Sequence, residues 1–484
     1  MRGCRLFLCF TAITLSHMAH GTAIFQRPGS NLTLDNAHNS AGVGLNTGNP
    51  AIPASSSRAR PGVSFGAGGG LEYGNVDRIF EIIDAVSTIL GSDGEDVPDV
   101  PPYLPEAPVQ LPEEVSWRDL IENDPRFQEW MDALQQQAGF IAGATAIIAS
   151  EAYAKAFLTA DATLVFSKNV SQGKLVVAMS AQSTSKARGI VDRFDFDADA
   201  ALQQIELARN LAPDDPETTF DLSDDLQLIV DPAADSIRIN FNNESLLLTK
   251  AAKIQSIDFG YSQAGFTRDG SKFFWGIKPK IYRVGLSQAN YRFGEITDSE
   301  ALFDDIQNAE FKYSNRISID IGALWQSPNY SIGMSVLDPF SPEFTFPDGN
   351  LEKYQKRETL NKLTRELHYT LDTQIRTEFS AYTNSLKYST NAQWDLNPVK
   401  DPMGDEYQWL ALSGAFNSHR LYVPSFRMGI RENLAGSRLT YYTAGLSLFE
   451  VLTLDAAITT QTVTLENQIL PRGMNVTLGV NIPF

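Results

Sequence analysis

Residues 367–381 constrain the fold of this chain more than any other stretch. Their odd positions read Leu367, Tyr369, Leu371, Thr373, Ile375, Thr377, Phe379 and Ala381, and their even positions His368, Thr370, Asp372, Gln374, Arg376, Glu378 and Ser380. A period of two with one mainly apolar and one polar face marks a β-strand with unlike surroundings on its two sides. Strands of soluble domains run ~5–6 residues, whereas a tilted strand that crosses a bilayer needs ~9–11. The length of this run favours the membrane strand.

The pattern recurs. Ile237, Ile239 and Phe241 alternate with polar residues, as do Ile257, Phe259 and Tyr261, then Ile317, Ile319 and Ile321, then Ile332, Met334 and Val336. Tyr442, Ala444, Leu446 and Leu448 repeat it, followed by Leu452, Leu454, Ala456 and Ile458. The chain ends on Val476, Leu478, Val480, Ile482 and Phe484, all on one face. Strands in hydrocarbon leave no backbone group unpaired, so they close into a barrel, with lipid outside and polar groups toward the lumen. The sequence thus predicts an all-β, antiparallel membrane barrel of about 14 strands, within a span of about 12–16. Tyr422, Tyr441, Tyr442, Trp394 and Trp409 are candidates for interfacial aromatic girdles. A soluble, secreted β-rich binding protein would show the same alternation; strand length and the aromatic terminus argue against it.

The rest of the chain divides around this barrel. Arg2 and Arg5, the apolar run Leu6–Leu15 and the small residues Gly21-Thr22-Ala23 read as a signal peptide over residues 1–23. Cys4 and Cys9 lie within it, which leaves the exported chain without thiol chemistry. Residues 24–60 form a Gly-, Ala- and Ser-rich arm or plug, and 61–76 a first strand region. Residues 77–160 read as a helical insertion with a proline-rich linker at 97–113, and 161–484 as the main barrel, with one further helix over 198–211. Hydrophobic residues make up 43%, too few for a helical membrane protein, and the formal net charge of −19 opposes nucleic acid as a partner.

No catalytic constellation emerges. Gly62-Val63-Ser64-Phe65-Gly66 matches a nucleophile-elbow pattern, but the glycines that follow oppose the helix such an elbow needs. Beyond the signal only His38, His368 and His419 remain, without zinc-site spacing. Gly42-Val43-Gly44 lacks a correctly placed third glycine, and Asp93, Glu95 and Asp96 lack a calcium-loop pattern. We expect no enzyme activity, no metal and no cofactor. Lys278, Lys280, His368, Asp372, Arg376, Glu378 and Arg427 occupy polar strand faces and are the candidate lumen residues. Because neither sign dominates, bracing of a plugged barrel is preferred over solute selection.

Several segments resemble TraF-type outer-membrane proteins of conjugal transfer, within the wider group of fatty-acid-transporter-like barrels. These are Gly48-Asn49-Pro50-Ala51, Gly70-Leu71-Glu72-Tyr73-Gly74-Asn75-Val76-Asp77 and Ser341-Pro342-Glu343-Phe344. The resemblance implies an outer-membrane location in a Gram-negative bacterium and a transport or solute-binding channel. The alternative is a structural part of a conjugation or envelope machine. It also implies a lumen plug carried by Asn49 and Pro50. The terminal strand from Val476 to Phe484 resembles the signal read by barrel-assembly machinery. Expected partners are outer-membrane lipid, that machinery, and either a small hydrophobic solute or envelope proteins.

Overall fold

The computed structural model describes residues 29–34, 43, 48–55, 61–74, 116–122, 132–133, 135–136, 140, 153–166, 170–192, 198–292, 310–418, 420, 422–465 and 468–484. The signal peptide, His38, His419 and the proline-rich linker lie outside these residues.

Fourteen antiparallel strands form a closed barrel. They are β1 (Gly62–Tyr73), β2 (Tyr153–Val165), β3 (Gly173–Ile190), β4 (Leu246–Arg268), β5 (Ser271–Arg292), β6 (Lys312–Gln326) and β7 (Tyr330–Leu337). The circuit continues through β8 (Gln374–Tyr382), β9 (Tyr388–Asp395), β10 (Trp409–Phe416), β11 (Ser425–Asn433), β12 (Thr440–Leu448), β13 (Leu452–Thr459) and β14 (Gly473–Pro483). Each pairs with its neighbour in sequence, and β14 pairs back to β1 from Gly62↔Pro483 to Glu72↔Gly473. No edge is left open, so every strand finds its ladder partners.

The two rims differ. At one, strands are joined by the short stretches 166–172, 269–270, 327–329, 383–387, 417–424 and 449–451. At the other, the connections 74–152, 191–245, 293–311, 338–373, 396–408 and 460–472 are long, and 434–439 alone is short. Short turns on one side and long loops on the other are the habit of outer-membrane barrels, whose short turns face the periplasm.

The wall has a reversed distribution of polarity. Phe65, Met179, Phe259, Ile281, Ile317, Met334, Phe379, Leu412, Met428, Ile458 and Leu478 are exposed on the outside. Ser64, Thr163, Ser180, Asp258, Lys280, Asp320, Glu378, Asn391, Arg427, Asp455 and Thr477 are buried on the inside. A water-soluble protein places these classes the other way round. Lipid is therefore the medium that covers the outer face. Rings crowd the short-turn rim: Phe266 lies 5.3 Å from Phe273 and 6.0 Å from Trp325, and Tyr388 lies 5.6 Å from Phe416. Trp394, Tyr422 and Tyr442 are exposed as expected of a girdle, but Trp409 and Tyr441 are buried. Their odd positions turn them into the lumen.

Three expectations about the strands need correction. Residues 367–381 are not one strand: β8 begins at Gln374, and His368–Thr370 pairs with Glu343–Thr345 in a separate two-stranded sheet. The alternation runs on because Leu367, Tyr369 and Leu371 are buried in a protein cluster, not in lipid. Residues 236–241 are likewise off the barrel. They complete a three-stranded sheet with Thr218–Ser223 and Leu226–Asp231, packed on helix Ala198–Ala208 and on Trp117. The barrel also re-enters early, since β2 starts at Tyr153, inside the stretch read as a helical insertion; helix Trp117–Glu122 belongs to that insertion.

A lysine on the lipid face tests the polarity reversal. Met334 sits mid-strand on β7, paired with Ala323 and Thr377. Met334→Lys should cost about 2–4 kcal/mol in urea unfolding from lipid vesicles. On the surface of a water-soluble sandwich the same change would cost almost nothing.

Candidate functional site in the lumen

Two segments of the N-terminal arm lie inside the wall. Helix Ile52–Ser55 touches β3, β4, β5 and β6, and helix Asn31–Leu34 touches β10, β11, β12 and β13. The anchor between them is Asn49, 1% exposed. Its amide donates to the carbonyls of Ala323 (3.1 Å) and Met334 (3.4 Å) and to Glu378 Oε1 (2.6 Å). Its own oxygen accepts the Ala51 N–H at 2.9 Å. Lys278 Nζ donates to the carbonyl of Gly48 at 3.4 Å.

Glycines in the wall make the close approach possible. A Cβ on Gly276 would fall on the Pro50 carbonyl, and one on Gly322 would fall on the Asn49 side-chain oxygen. Toward the short-turn rim, Ala51 and Ile52 pack on Phe274 and Leu324. The second segment is held on the far wall. Thr477 Oγ1 donates to Gly29 O (3.0 Å), the Thr33 N–H to Asp455 (3.1 Å) and Arg431 to Leu32 O (3.1 Å).

At the opposite end, connections of the long rim fold inward onto the wall. The connection 338–373 folds inward and buries Phe344, Phe346, Leu367, Tyr369 and Leu371 against Ile254, Tyr282, Val284 and Leu286 of β4 and β5. The Ser341-Pro342-Glu343-Phe344 motif starts this fold: Ser341 bonds Thr373 through their hydroxyls at 2.9 Å, and the Pro342 carbonyl accepts the Leu371 N–H at 3.0 Å. Glu366 ties helix Arg357–Glu366 to the wall through Lys250 (2.8 Å) and Arg188 (2.5 Å). The connection 396–408 descends beside it. Asp401 and Asp405 grip Lys155, Asp405 also pairs with Lys186, and Lys155 Nζ donates to Tyr407 at 2.6 Å.

Burial opposes ionisation of Glu366, but Lys250 and Arg188 outweigh it and hold the carboxyl below its ordinary value. Burial likewise opposes ionisation of Asp405, but Lys155 and Lys186 outweigh it and hold that carboxyl well below its ordinary value. Carboxylates depressed in the folded state contribute stability above their unfolded values, about 4. That contribution is lost as pH falls through the depressed folded values. Amide protection across helix Arg357–Glu366, corrected for the pH dependence of intrinsic exchange, should therefore match between pH 7 and pH 5. Protection should fall only below about pH 4.

Of the candidate lumen residues, Lys278, Lys280, Arg376, Glu378 and Arg427 all face inward and are buried. Lys278 and Lys280 share Asp320 (2.9 and 2.6 Å), Arg376 meets Asp395 (2.7 Å), and Arg427 Nε meets Asp455 (2.8 Å). His368 and Asp372 lie elsewhere: both belong to the connection 338–373, where His368 is exposed and Asp372 accepts the Lys400 N–H at 3.3 Å. The strand break at 371–373 removed them from the wall. The acidic partners Asp320, Asp395 and Asp455 were not singled out, although each stands at a polar position of an alternating run. Ser64 lies mid-strand, paired with Thr163 and Asn481, so the turn and helix of a nucleophile elbow are absent from it. Val476, Leu478, Ile482 and Phe484 are exposed on the outer face of the strand that closes the barrel.

A family model described as "F plasmid transfer operon, TraF, protein" matches residues 46–395, from the lumen anchor through β9. The chain belongs to this TraF family. Both the Asn49 seat and the connection 338–373 fall within the matched region. Among solved structures, the TodX ΔS2S3 monoaromatic hydrocarbon channel mutant is 9% identical, with TM-score 0.42, covering 95% of this chain and 100% of its own. The Ralstonia pickettii toluene transporter TbuX is 9% identical, with TM-score 0.38 and coverage of 96% and 99%. A Pseudomonas aeruginosa FadL homologue is 11% identical, with TM-score 0.35 and coverage of 96% and 100%. No curated protein matches. The strand pairing establishes the fold independently of these similarities. A TraF-family chain with a closed barrel, a lipid-facing apolar wall and one rim of short turns is an outer-membrane protein of a Gram-negative bacterium.

Proposed function

We propose that this TraF-family barrel is a gated channel for small hydrophobic solutes, held shut at rest by its own N-terminal arm. One observation carries the reading: Asn49 and Pro50 seat against side-chain-free positions of the wall, Gly276 and Gly322. A permanently filled barrel has no need of a notch shaped for a separate segment. The seat is made of hydrogen bonds to a single side chain, which can be released together. The ion-paired wall residues then act as braces of the closed state, and no step of this function is catalytic.

Reconstitution into planar bilayers tests it. The intact protein should conduct weakly, and Asn49→Ala should raise the frequency of openings. The seat loses three hydrogen bonds and leaves Glu378 without that partner, a change of about 1–3 kcal/mol. Unchanged conductance together with no uptake of apolar solutes into vesicles would overturn the reading.

A second reading, attachment to envelope or conjugation proteins, is favoured by the folded unit of helix Ala198–Ala208 and its three-stranded sheet at the long-connection rim. Trp117 of the first long connection packs into that unit, so two connections share one small core. Removing residues 196–242 should then abolish partner capture while the barrel stays folded.

A further inference from the structure

The outer wall changes chemistry partway along β4, β5 and β6. On β5 the outward positions are apolar from Phe273 to Ile281, and on β6 from Ile317 to Trp325. Each run matches the ~9–11 residues that a tilted strand needs to cross hydrocarbon. The last apolar row toward the long-connection rim is Met179↔Ile257, Ile257↔Ile281 and Ile281↔Ile317. One row beyond it, the outward positions are Gln255, Arg283 and Asn315, and the next row holds Lys253, Gly285 and Tyr313. Long connections face the exterior, so these two rows stand where hydrocarbon ends and the headgroups of the outer leaflet begin.

Two cations meet there. Lys253 and Arg283 are diagonal neighbours across the β4–β5 ladder, which sets them about 7–8 Å apart. Each lies over an aromatic ring: Lys253 Nζ is 4.0 Å from the centroid of Phe311, and Arg283 Cζ is 4.5 Å from that of Tyr313. The two rings are 6.3 Å apart. Gly285 lets them lie low on the wall, since a Cβ there would fall on the Tyr313 ring. Among the described residues neither cation has a carboxylate partner. The lumen-facing Lys250, Lys278 and Lys280 of the same two strands are all ion-paired. Carboxylates are not scarce in a chain with 58 acidic and 39 basic residues. A cation at this depth can also reach water alone, with its stem against the wall. The rings do more than that: they fix both heads side by side and leave their N–H groups available to an anion.

We infer that Lys253 and Arg283 form a binding site for a phosphorylated glycolipid of the outer leaflet. Its phosphate accepts from both heads, Arg283 giving a planar two-pronged donation and Lys253 a point charge. Gln255 and Asn315, on either side of Arg283, supply amides for the sugar hydroxyls. The acyl chains lie along exposed Ile257, Ile281 and Ile317. The site faces lipid and not the lumen, so it stands whether or not the barrel conducts.

The test uses the full barrel in detergent micelles, titrated with bisphosphoryl lipid A, fully dephosphorylated lipid A and phosphatidylglycerol, with bound lipid counted by native mass spectrometry. Bisphosphoryl lipid A should bind roughly tenfold more tightly than either of the others. Lys253→Gln and Arg283→Gln should each weaken it about fivefold, and together roughly twentyfold, as expected for two interfacial cations. Lys387→Gln, in the turn 383–387 at the opposite rim, is the matched control and should change nothing. Heat-modifiable migration shows whether each variant is folded; if Arg283→Gln is not, Lys253→Gln decides alone, and no loss of binding in it would overturn the site. Equal binding of the dephosphorylated form, or full binding to the folded double variant, would do the same. Phosphatidylglycerol bound as tightly as bisphosphoryl lipid A would overturn the assignment to an outer-leaflet glycolipid.

Discussion

Gly322→Val will open the barrel. The substituted side chain must occupy the space of the Asn49 side-chain oxygen and the Pro50 ring, both seated on that glycine. The wall offers little room to yield, because Gly322 is fixed in register between Gly276 of β5 and Ser335 of β7. The arm therefore moves instead of the strand. Its displacement also breaks the Asn49 contacts to Ala323, Met334 and Glu378. Losing about 3 kcal/mol of seating shifts the closed-to-open ratio roughly a hundredfold. Single-channel recording should show that shift as open time. Gly414→Ala is the matched control, since a Cβ there meets nothing nearer than the Ser389 carbonyl at 3.8 Å. Asn49→Ala combined with Gly322→Val should add little to either alone, because both remove one seat. A valine variant that conducts like the parent would show that this contact does not gate the lumen.

The barrel was legible in the sequence because lipid imposes a strict rule on each spanning strand. Ile317, Ile319 and Ile321 on one face and Ser318 and Asp320 on the other leave one orientation possible, and the structure adopts it. What could not be read is which medium covers an apolar face. Leu367, Tyr369 and Leu371 alternate as cleanly as Ile375, Thr377 and Phe379, yet the first three pack into the lumen mouth. Both lipid and a protein cluster reward the same pattern. Ile237 stands in the same position, alternating within a small sheet that covers a helix. For the lumen, strand parity identified Lys278, Lys280, Arg376, Glu378 and Arg427 as inward-facing, because parity is a local property. Pairing is not local. Nothing in the spacing of Lys155 and Asp401, or of Lys250 and Glu366, shows that loops fold back to meet the wall. Asn49 was recognised through its family resemblance, and the reason for its place emerged only with Gly276 and Gly322.

Asp320→Ala should cause the largest loss of stability of any single wall substitution considered. Asp320 is fully buried and lies between two lysines, with Lys278 at 2.9 Å and Lys280 at 2.6 Å. It also accepts the Asp338 N–H at 3.2 Å, and so fixes the point where the chain leaves β7 for the lumen mouth. Without it, Lys280 keeps Asp338 at 3.3 Å, while Lys278 loses its 2.9 Å ion pair. Removing one partner from a buried ion pair costs about 3–5 kcal/mol, mainly because a charge is left uncompensated in a low dielectric. That cause predicts a rescue. Lys278→Met added to Asp320→Ala should recover part of the loss, since one of the two lysines that shared the carboxylate goes with it. Urea titration of the folded barrel in vesicles measures both. Asp320→Asn separates charge from shape, because it preserves the acceptor toward Asp338 and removes only the negative charge. If the loss came from shape, Asp320→Asn would be mild and Lys278→Met would rescue nothing. The electrostatic account requires the opposite in both cases.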